Sequence, residues 1–400
     1  MLLALLLAFS MIAASCGSDG ADSVTEAADD AATTDDTGAT DDTGATDDSP
    51  PDPESADEPD PEPAASAGGE IDYLGWEGYD TFFGANGAEI EALGVTLNAT
   101  YMASPADIAQ RFASGGGDGL DLLSWTSANH QQYRSIEGVL SPITEEEVPN
   151  LAGLIAVFGE DRFEQLKDAN GDWLGVPFTF GPLGITYDST QVSPTSYADL
   201  VAPEYEGKLG IPDVPGLHVQ AASAALGYDA NTLTPEQLDE VIEFMRPIWG
   251  QARVLSPSFG DIIGLLASGE IVAAYGGYPG LGAFTENPDI LTVFPEEGTI
   301  SFVDVYSIPT GADNRQAALD FINAMLDPAT NAAINDAFAQ ATTIEASIPL
   351  MSDANTALYP YDDLDAFFAE NSVMTLPGGE DGAINMGQFI DAYSALVAGG

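Results

Sequence analysis

Apolar and polar positions divide the chain into three stretches. Met1 to Ala14 is an apolar run, interrupted at Ser10, that ends in small residues. It is shorter than the roughly 20 residues a membrane-spanning helix needs and has the length of a secretory h-region. Residues 16–69 carry almost no aromatic or β-branched apolar side chains. The unit Thr-Asp-Asp-Thr-Gly-Ala occurs at 34–39 and again at 40–45, followed by a run rich in Pro, Asp and Glu. Such a segment buries too little surface to offset the entropy of ordering it, so a disordered, charge-extended tether is expected.

From Glu70 onward the pattern alternates between strand and helix. Ile71–Leu74 and Val95–Tyr101 read as strands, with a helix between them near 79–92. Ser104 and Pro105 open a helix whose inner face is Ile108 and Phe112, and Gly115–Gly117 closes it. Leu120–Trp125 is a further strand. Trp173–Phe180 and Gly184–Asp188 read as strands broken at Gly181-Pro182. Thr234 caps a helix that Pro235 opens, with Leu238, Val241, Ile242 and Met245 on one face. A second helix runs from Gln316 to Leu326 with Phe321, Ile322 and Met325 inward, closed by Asp327-Pro328. Ile271–Tyr275 and Ser301–Tyr306 are strands between them. This alternation predicts an α/β protein built on βαβ units. Asp168–Asp172 has the start of a calcium loop, but Trp173 stands where that loop needs glycine, so a hairpin turn is expected.

Composition narrows the function. The 400 residues hold 65 acidic and 8 basic side chains, a formal net charge of −57. A nucleic-acid surface requires clustered Lys and Arg, so that class is excluded. Acidic residues are spread along the whole chain, as in a protein kept soluble in high salt, so the global charge does not identify a ligand. The one cysteine, Cys16, rules out an intramolecular disulfide and a cysteine-based metal cluster. The two histidines, His130 and His218, have no partner at metal-ligand spacing. No metal or other cofactor is expected. No Gly-x-Ser-x-Gly elbow and no His-Glu-x-x-His is present, so a secreted hydrolase is a distant alternative, as is a scaffold or adhesion lipoprotein.

Ala13-Ala14-Ser15-Cys16 resembles a lipobox, in which small residues precede a cysteine that is lipidated before cleavage. A lipoprotein signal peptide over 1–15 and lipidation at Cys16 follow from that resemblance. Six further segments occur in register: Trp76–Tyr79, Trp173–Pro177 before Gly184–Asp188, Ser196–Leu200 before Pro203–Lys208, Leu226–Asn231, Ser268–Glu270, and Ser307–Ala312 before Ala317–Ile322. Over about 71–400 the chain resembles the extracellular solute-binding proteins of bacterial ABC importers, most closely the spermidine/putrescine-binding branch.

The resemblance implies a periplasmic-binding-protein-like type II fold: two α/β lobes, a hinge and an interlobe cleft. Lobe 1 would comprise 70–180 and 305–347, and lobe 2 181–304 and 348–400, with crossings near 179–184, 303–307 and 345–352. It implies a monomer that binds a small-molecule ligand and docks on an ABC permease, anchored outside the cytoplasmic membrane. Matching positions imply ligand contacts at Trp76, Glu77, Tyr79, Thr126, Asp213, Tyr275, Phe302 and Asp304. An ammonium group calls for a carboxylate and aromatic faces, which these residue types supply. The bland alternatives are core packing for Tyr275 and Phe302, a hinge hydrogen bond for Asp304, a helix-start acid for Glu77 and a structural loop role for His218. At two positions where relatives carry acids this chain has Val214 and Leu217, with Asp213 one place away. A betaine-like cation, another amine, an amino acid, a metal ion or a sugar therefore stays open as the ligand.

Overall fold

The computed structural model describes residues 68–76, 78–80, 93–102, 108, 111–112, 119–128, 130, 139–159, 161–374, 377 and 382–399. The expected signal peptide, Cys16, Glu77, the tether up to residue 67, residues 81–92 of the expected first helix and most of the second lie outside them.

The strands and helices follow in chain order: β1 (Gly69–Gly75), β2 (Val95–Tyr101), β3 (Leu122–Thr126), β4 (Leu140–Ser141), β5 (Val176–Pro182), β6 (Gly184–Asp188), β7 (Leu209–Pro212), α1 (Pro215–Ala225), α2 (Pro235–Trp249), β8 (Ala252–Ser256), α3 (Phe259–Ser268), β9 (Ala273–Gly277), α4 (Pro279–Phe284), β10 (Ile290–Val293), β11 (Thr299–Pro309), α5 (Arg315–Met325), α6 (Pro328–Phe338), β12 (Ala341–Thr342), α7 (Asp353–Thr356), α8 (Leu364–Glu370), β13 (Asn371–Val373) and α9 (Met386–Gly399). They form two sheets. The first has the order β12-β5-β11-β3-β1-β2, with β4 and β13 also paired to β11; the second has the order β10-β6-β9-β7-β8. Each carries its own apolar core. Ile71, Trp125, Phe178, Val305 and Phe321 belong to the first, and Ile185, Leu209, Met245, Tyr275 and Phe389 to the second. Two lobes of mixed α/β structure result.

Local chemistry explains the element ends. Thr234 Oγ1 accepts from Gln237 N at 3.2 Å while Gln237 Oε1 accepts from Thr234 N at 2.9 Å, a reciprocal cap that satisfies two donors at the start of α2. The four apolar residues expected on one face of that helix are all buried. β5 and β11 are buried along their entire length, as central strands covered on both faces must be. At the expected calcium-like loop, Asp168 Oδ1 instead accepts from the backbone of Asn170 and Asp172, which makes a turn. No group of potential metal ligands is found among the described residues.

The chain passes between sheets at three places. β5 gives way to β6 at Leu183, where Gly184 lies so close to Val293 that a Cβ would sit 2.3 Å from its carbonyl oxygen. On the return, core membership changes between Phe302 and Val303, inside β11. The third crossing was expected near 345–352, but it lies at Asn371–Met374. Residues 345–350 form a 3₁₀ turn on α6, tied by Ser347 Oγ to the Pro328 carbonyl at 2.8 Å. Tyr359, Leu364, Phe367 and Phe368 belong to the first core, and the second core resumes at Met374. The cause is aromatic packing: Phe368 lies 5.4 Å from Phe180 and 5.5 Å from Phe163.

Candidate ligand-binding site

Asp304 sits midway along β11, opposite Thr126 of β3 and Thr179 of β5. A register shift between Asp304 and Val305 interrupts the β5 pairing at this point. The carboxylate is 4% exposed. One oxygen, Oδ2, accepts from the Tyr79 hydroxyl at 2.8 Å, and the other, Oδ1, is buried with no partner. Burial raises the carboxyl to about 7, against the opposing pull of the Tyr79 hydrogen bond.

Tyr79 is aimed by three contacts. Its ring meets Phe178 edge-on at 4.8 Å and Phe338 at 5.2 Å, and its carbonyl accepts from the Tyr306 hydroxyl at 2.7 Å. The preceding Gly78 has φ +101°, and a Cβ there would lie 2.4 Å from the Phe338 ring, so only glycine fits. Both ends of the Gln340 amide lie near the Tyr79 hydroxyl, at 3.0 and 3.1 Å. Across from Asp304, Tyr278 precedes α4, and its ring lies 6.0 Å from Phe302 at 73°. Burial and the Asp304 charge both push the Tyr278 hydroxyl above its ordinary range. The lobes also meet where Phe284 of α4 touches Phe338 of α6 at 5.4 Å. A Cβ at Gly280 would lie 2.4 Å from the Phe338 carbonyl oxygen. The buried carboxylate is thus enclosed by aromatic rings from both lobes.

This geometry coincides with a family match. The profile described as "bacterial extracellular solute-binding protein" matches residues 79–356. The chain belongs to that family. It is 28% identical over 204 residues to the spermidine/putrescine-binding periplasmic protein of Escherichia coli, covering 48% of this chain and 54% of that one. It is 29% identical over 251 residues to the putrescine-binding periplasmic protein SpuD of Pseudomonas aeruginosa, covering 57% and 67%. The chain thus spans about half the length of the E. coli relative. In fold it is similar to a lipoprotein of Treponema pallidum, with TM-score 0.68 and 21% identity over 82% of this chain and 99% of that one. A spermidine/putrescine ABC transporter substrate-binding protein of Streptococcus pneumoniae gives TM-score 0.64 and 17% identity over 82% and 98%.

In this solute-binding protein the residues singled out from sequence fall into two groups. Tyr79, Thr126, Phe302 and Asp304 gather at the site described. Trp76 is half-buried beside it, and its backbone N–H donates to Ser124 Oγ at 3.2 Å. Tyr275 does not reach the cleft. It is fully buried in the second core, 4.7 Å from Tyr197 and 5.2 Å from both His218 and Trp249, and its hydroxyl donates to the His218 carbonyl at 3.4 Å. The β6–β9 pairing shifts between Gly184 and Ile185, and Tyr278, just past the end of β9, is the aromatic that lies against Phe302. Asp213 accepts from the Tyr393 hydroxyl at 3.2 Å, while Val214 and Leu217 pack on the second core. His218 is buried and pushed down to about 4 by desolvation, with Nε2 against the Pro212 carbonyl. Sequence reasoning missed Tyr278 and Gln340. The pattern Tyr278-Pro279-Gly280, an aromatic ahead of a proline-led helix start, was the available signal for the first.

Proposed function

We propose that this protein captures a small organic cation bearing N–H donors, of the polyamine class, between its lobes and delivers it to an ABC permease. The observation that carries the reading is Asp304: a buried carboxylate with one oxygen satisfied and one unpartnered, framed by Tyr79, Tyr278 and Phe302. An ammonium group supplies both the charge and the hydrogen bond that Oδ1 lacks, whereas a quaternary ammonium supplies only the charge. The names of the relatives, spermidine/putrescine- and putrescine-binding proteins, support the same class. The remaining expected contacts are Trp76, Glu77 and Thr126. The apolar leader and the lone Cys16 support a monomeric lipoprotein held at the outer face of the cytoplasmic membrane by a diacylglyceryl group.

Thermal shift of the unlipidated full chain (Cys16→Ser) with putrescine, spermidine, butylamine and choline tests the reading. The matching solute adds about 2.7 kcal/mol of stability at a hundredfold excess over Kd. An Asp304→Ala protein that keeps full affinity would sink it. A second reading, an amine with a single charged end, is favoured by Asp213, whose carboxylate is taken by Tyr393, and by the apolar Val214 and Leu217.

A further inference from the structure

The late third crossing keeps Tyr359 on the first lobe, where it belongs to the first core and is 4% exposed. Its hydroxyl donates to the Ala339 carbonyl at 2.7 Å. A carbonyl can only accept, so the direction of this bond is settled and the phenol proton is committed. Ala339 caps α6 in the left-handed region, with φ +48°. Both of its neighbours reach the cleft. The Phe338 carbonyl lies against Gly280 of the second lobe, and the Gln340 amide lies beside the Tyr79 hydroxyl.

Strand register places the Tyr359 oxygen on the same side. Gly181 of β5 pairs with Phe302, and Thr179 pairs with Asp304. Cross-strand partners share a face, as do residues two apart on one strand. A Cβ on Gly181 would thus point the way Phe302 and Asp304 do. It would lie 3.1 Å from the Phe302 ring and 3.6 Å from the Tyr359 hydroxyl oxygen. A side chain at 181 would cover that oxygen, and glycine does not. Gly181 stands two residues along β5 from the partner of Asp304, about 6.8 Å of strand. Among the described residues no donor meets the Tyr359 oxygen, so its lone pairs are left to accept. Burial, with smaller contributions from Tyr361 and Tyr278, raises the phenol well above its ordinary range and keeps it neutral. Tyr278 in turn feels the Asp304 charge.

We propose that Tyr359 is a specificity-determining ligand contact: its hydroxyl oxygen accepts an N–H from a second donor group of the solute, a short methylene chain away from the ammonium that Asp304 Oδ1 holds. The inference rests on the cleft reading and sharpens it. Val214 and Leu217 stand where relatives carry acids. The second end of the solute therefore meets a neutral acceptor of the first lobe in place of a carboxylate of the second. Such a site prefers a diamine to an alkylamine of the same length without burying a second charge.

The test is calorimetry of the full chain (Cys16→Ser) and its Tyr359→Phe variant at pH 8. The probes are putrescine and butylamine, which differ only in the second amine. The parent binds putrescine about tenfold or more tighter than butylamine. Tyr359→Phe keeps the ring and removes the oxygen. It weakens putrescine about tenfold, the size of one hydrogen bond to a charged group, and leaves butylamine within about twofold. Equal weakening of both amines would give Tyr359 a structural role through Ala339 and overturn the proposal. Full retention of both affinities would overturn it as well. In either case the cleft reading stands and the proposal alone falls. If neither amine binds the parent, the cleft reading fails and the proposal with it.

Discussion

The two lobes meet the cleft in opposite ways. The first brings a desolvated carboxylate to the middle of its sheet and backs it with Tyr79, Gln340, Thr179 and Asn335. The second, among its described residues, brings no charged group to the cleft. The Tyr275 hydroxyl points at the His218 carbonyl, the Asp213 carboxylate takes the Tyr393 hydroxyl, and the group of the second lobe that feels the Asp304 charge is the neutral Tyr278 hydroxyl. On the proposed cation reading, charge recognition is one-sided and the second lobe contributes enclosure. A buried carboxylate is costly, and a cation beside it would offset that cost and favour the closed arrangement.

The largest test of this asymmetry is Asp304→Asn. Amine affinity falls at least a hundredfold by calorimetry, while the ligand-free protein gains stability at pH 8. The carboxyl is raised from its ordinary value to about 7, so the folded state binds its proton more tightly than the unfolded state. Between about pH 4 and 7 the folded state carries more protons, stability falls as pH rises, and above 7 the full loss is in place. Removing the charge recovers a few kcal/mol there, at about 1.4 kcal/mol per pH unit, and a urea midpoint that does not rise counts against a desolvated Asp304.

Next in size is the pH dependence of binding. Below pH 7 amine affinity drops by up to tenfold per unit as Asp304 takes up its proton, with close to one proton released on binding at pH 6; above 7 it is flat. Calorimetry in buffers of different ionisation enthalpy reads the proton directly. A profile level from pH 5 to 8 would place the cation elsewhere.

Gly280→Ala should prop the lobes apart, because its Cβ meets the Phe338 carbonyl oxygen. About tenfold weaker binding is expected, together with a larger radius in solution scattering, and unchanged scattering with unchanged affinity would break the enclosure half of the comparison. The smallest effect belongs to Tyr275→Phe. Loss of one long hydrogen bond in the second core costs about 1 kcal/mol or less and leaves affinity within about twofold. A tenfold loss would return Tyr275 to the ligand.

The contrast between the lobes also marks how far the sequence could be read. Helix α2 was legible to its cap, because Thr234, Pro235 and the Leu238–Met245 stripe are local signals. Strands β5 and β6 were legible from apolar runs, but the break expected at Gly181-Pro182 lies at Leu183, because Gly181 and Pro182 still pair with β11. Asp304 was legible by resemblance, as a carboxylate in an apolar strand. The third crossing was not, because Phe367 and Phe368 can pack on either core as far as periodicity shows, and only the ring contacts with Phe158, Phe163 and Phe180 choose. Tyr275 and Tyr278 lie three residues apart, and which one faces the cleft depends on strand register and on where α4 begins.

By itself the sequence determined the alternating α/β pattern, the acidic character, the absence of disulfide chemistry in the chain and the family to which it belongs. These are local or cumulative properties, carried by residues near one another in the chain or by six motifs in order. Tertiary structure alone decided which oxygen of Asp304 is satisfied and which tyrosine of the second lobe lies near it. The first depends on Tyr79 and Asp304, 225 residues apart in sequence, coming within hydrogen-bonding distance, and the second on how β9 and α4 pack, and no local pattern encodes either.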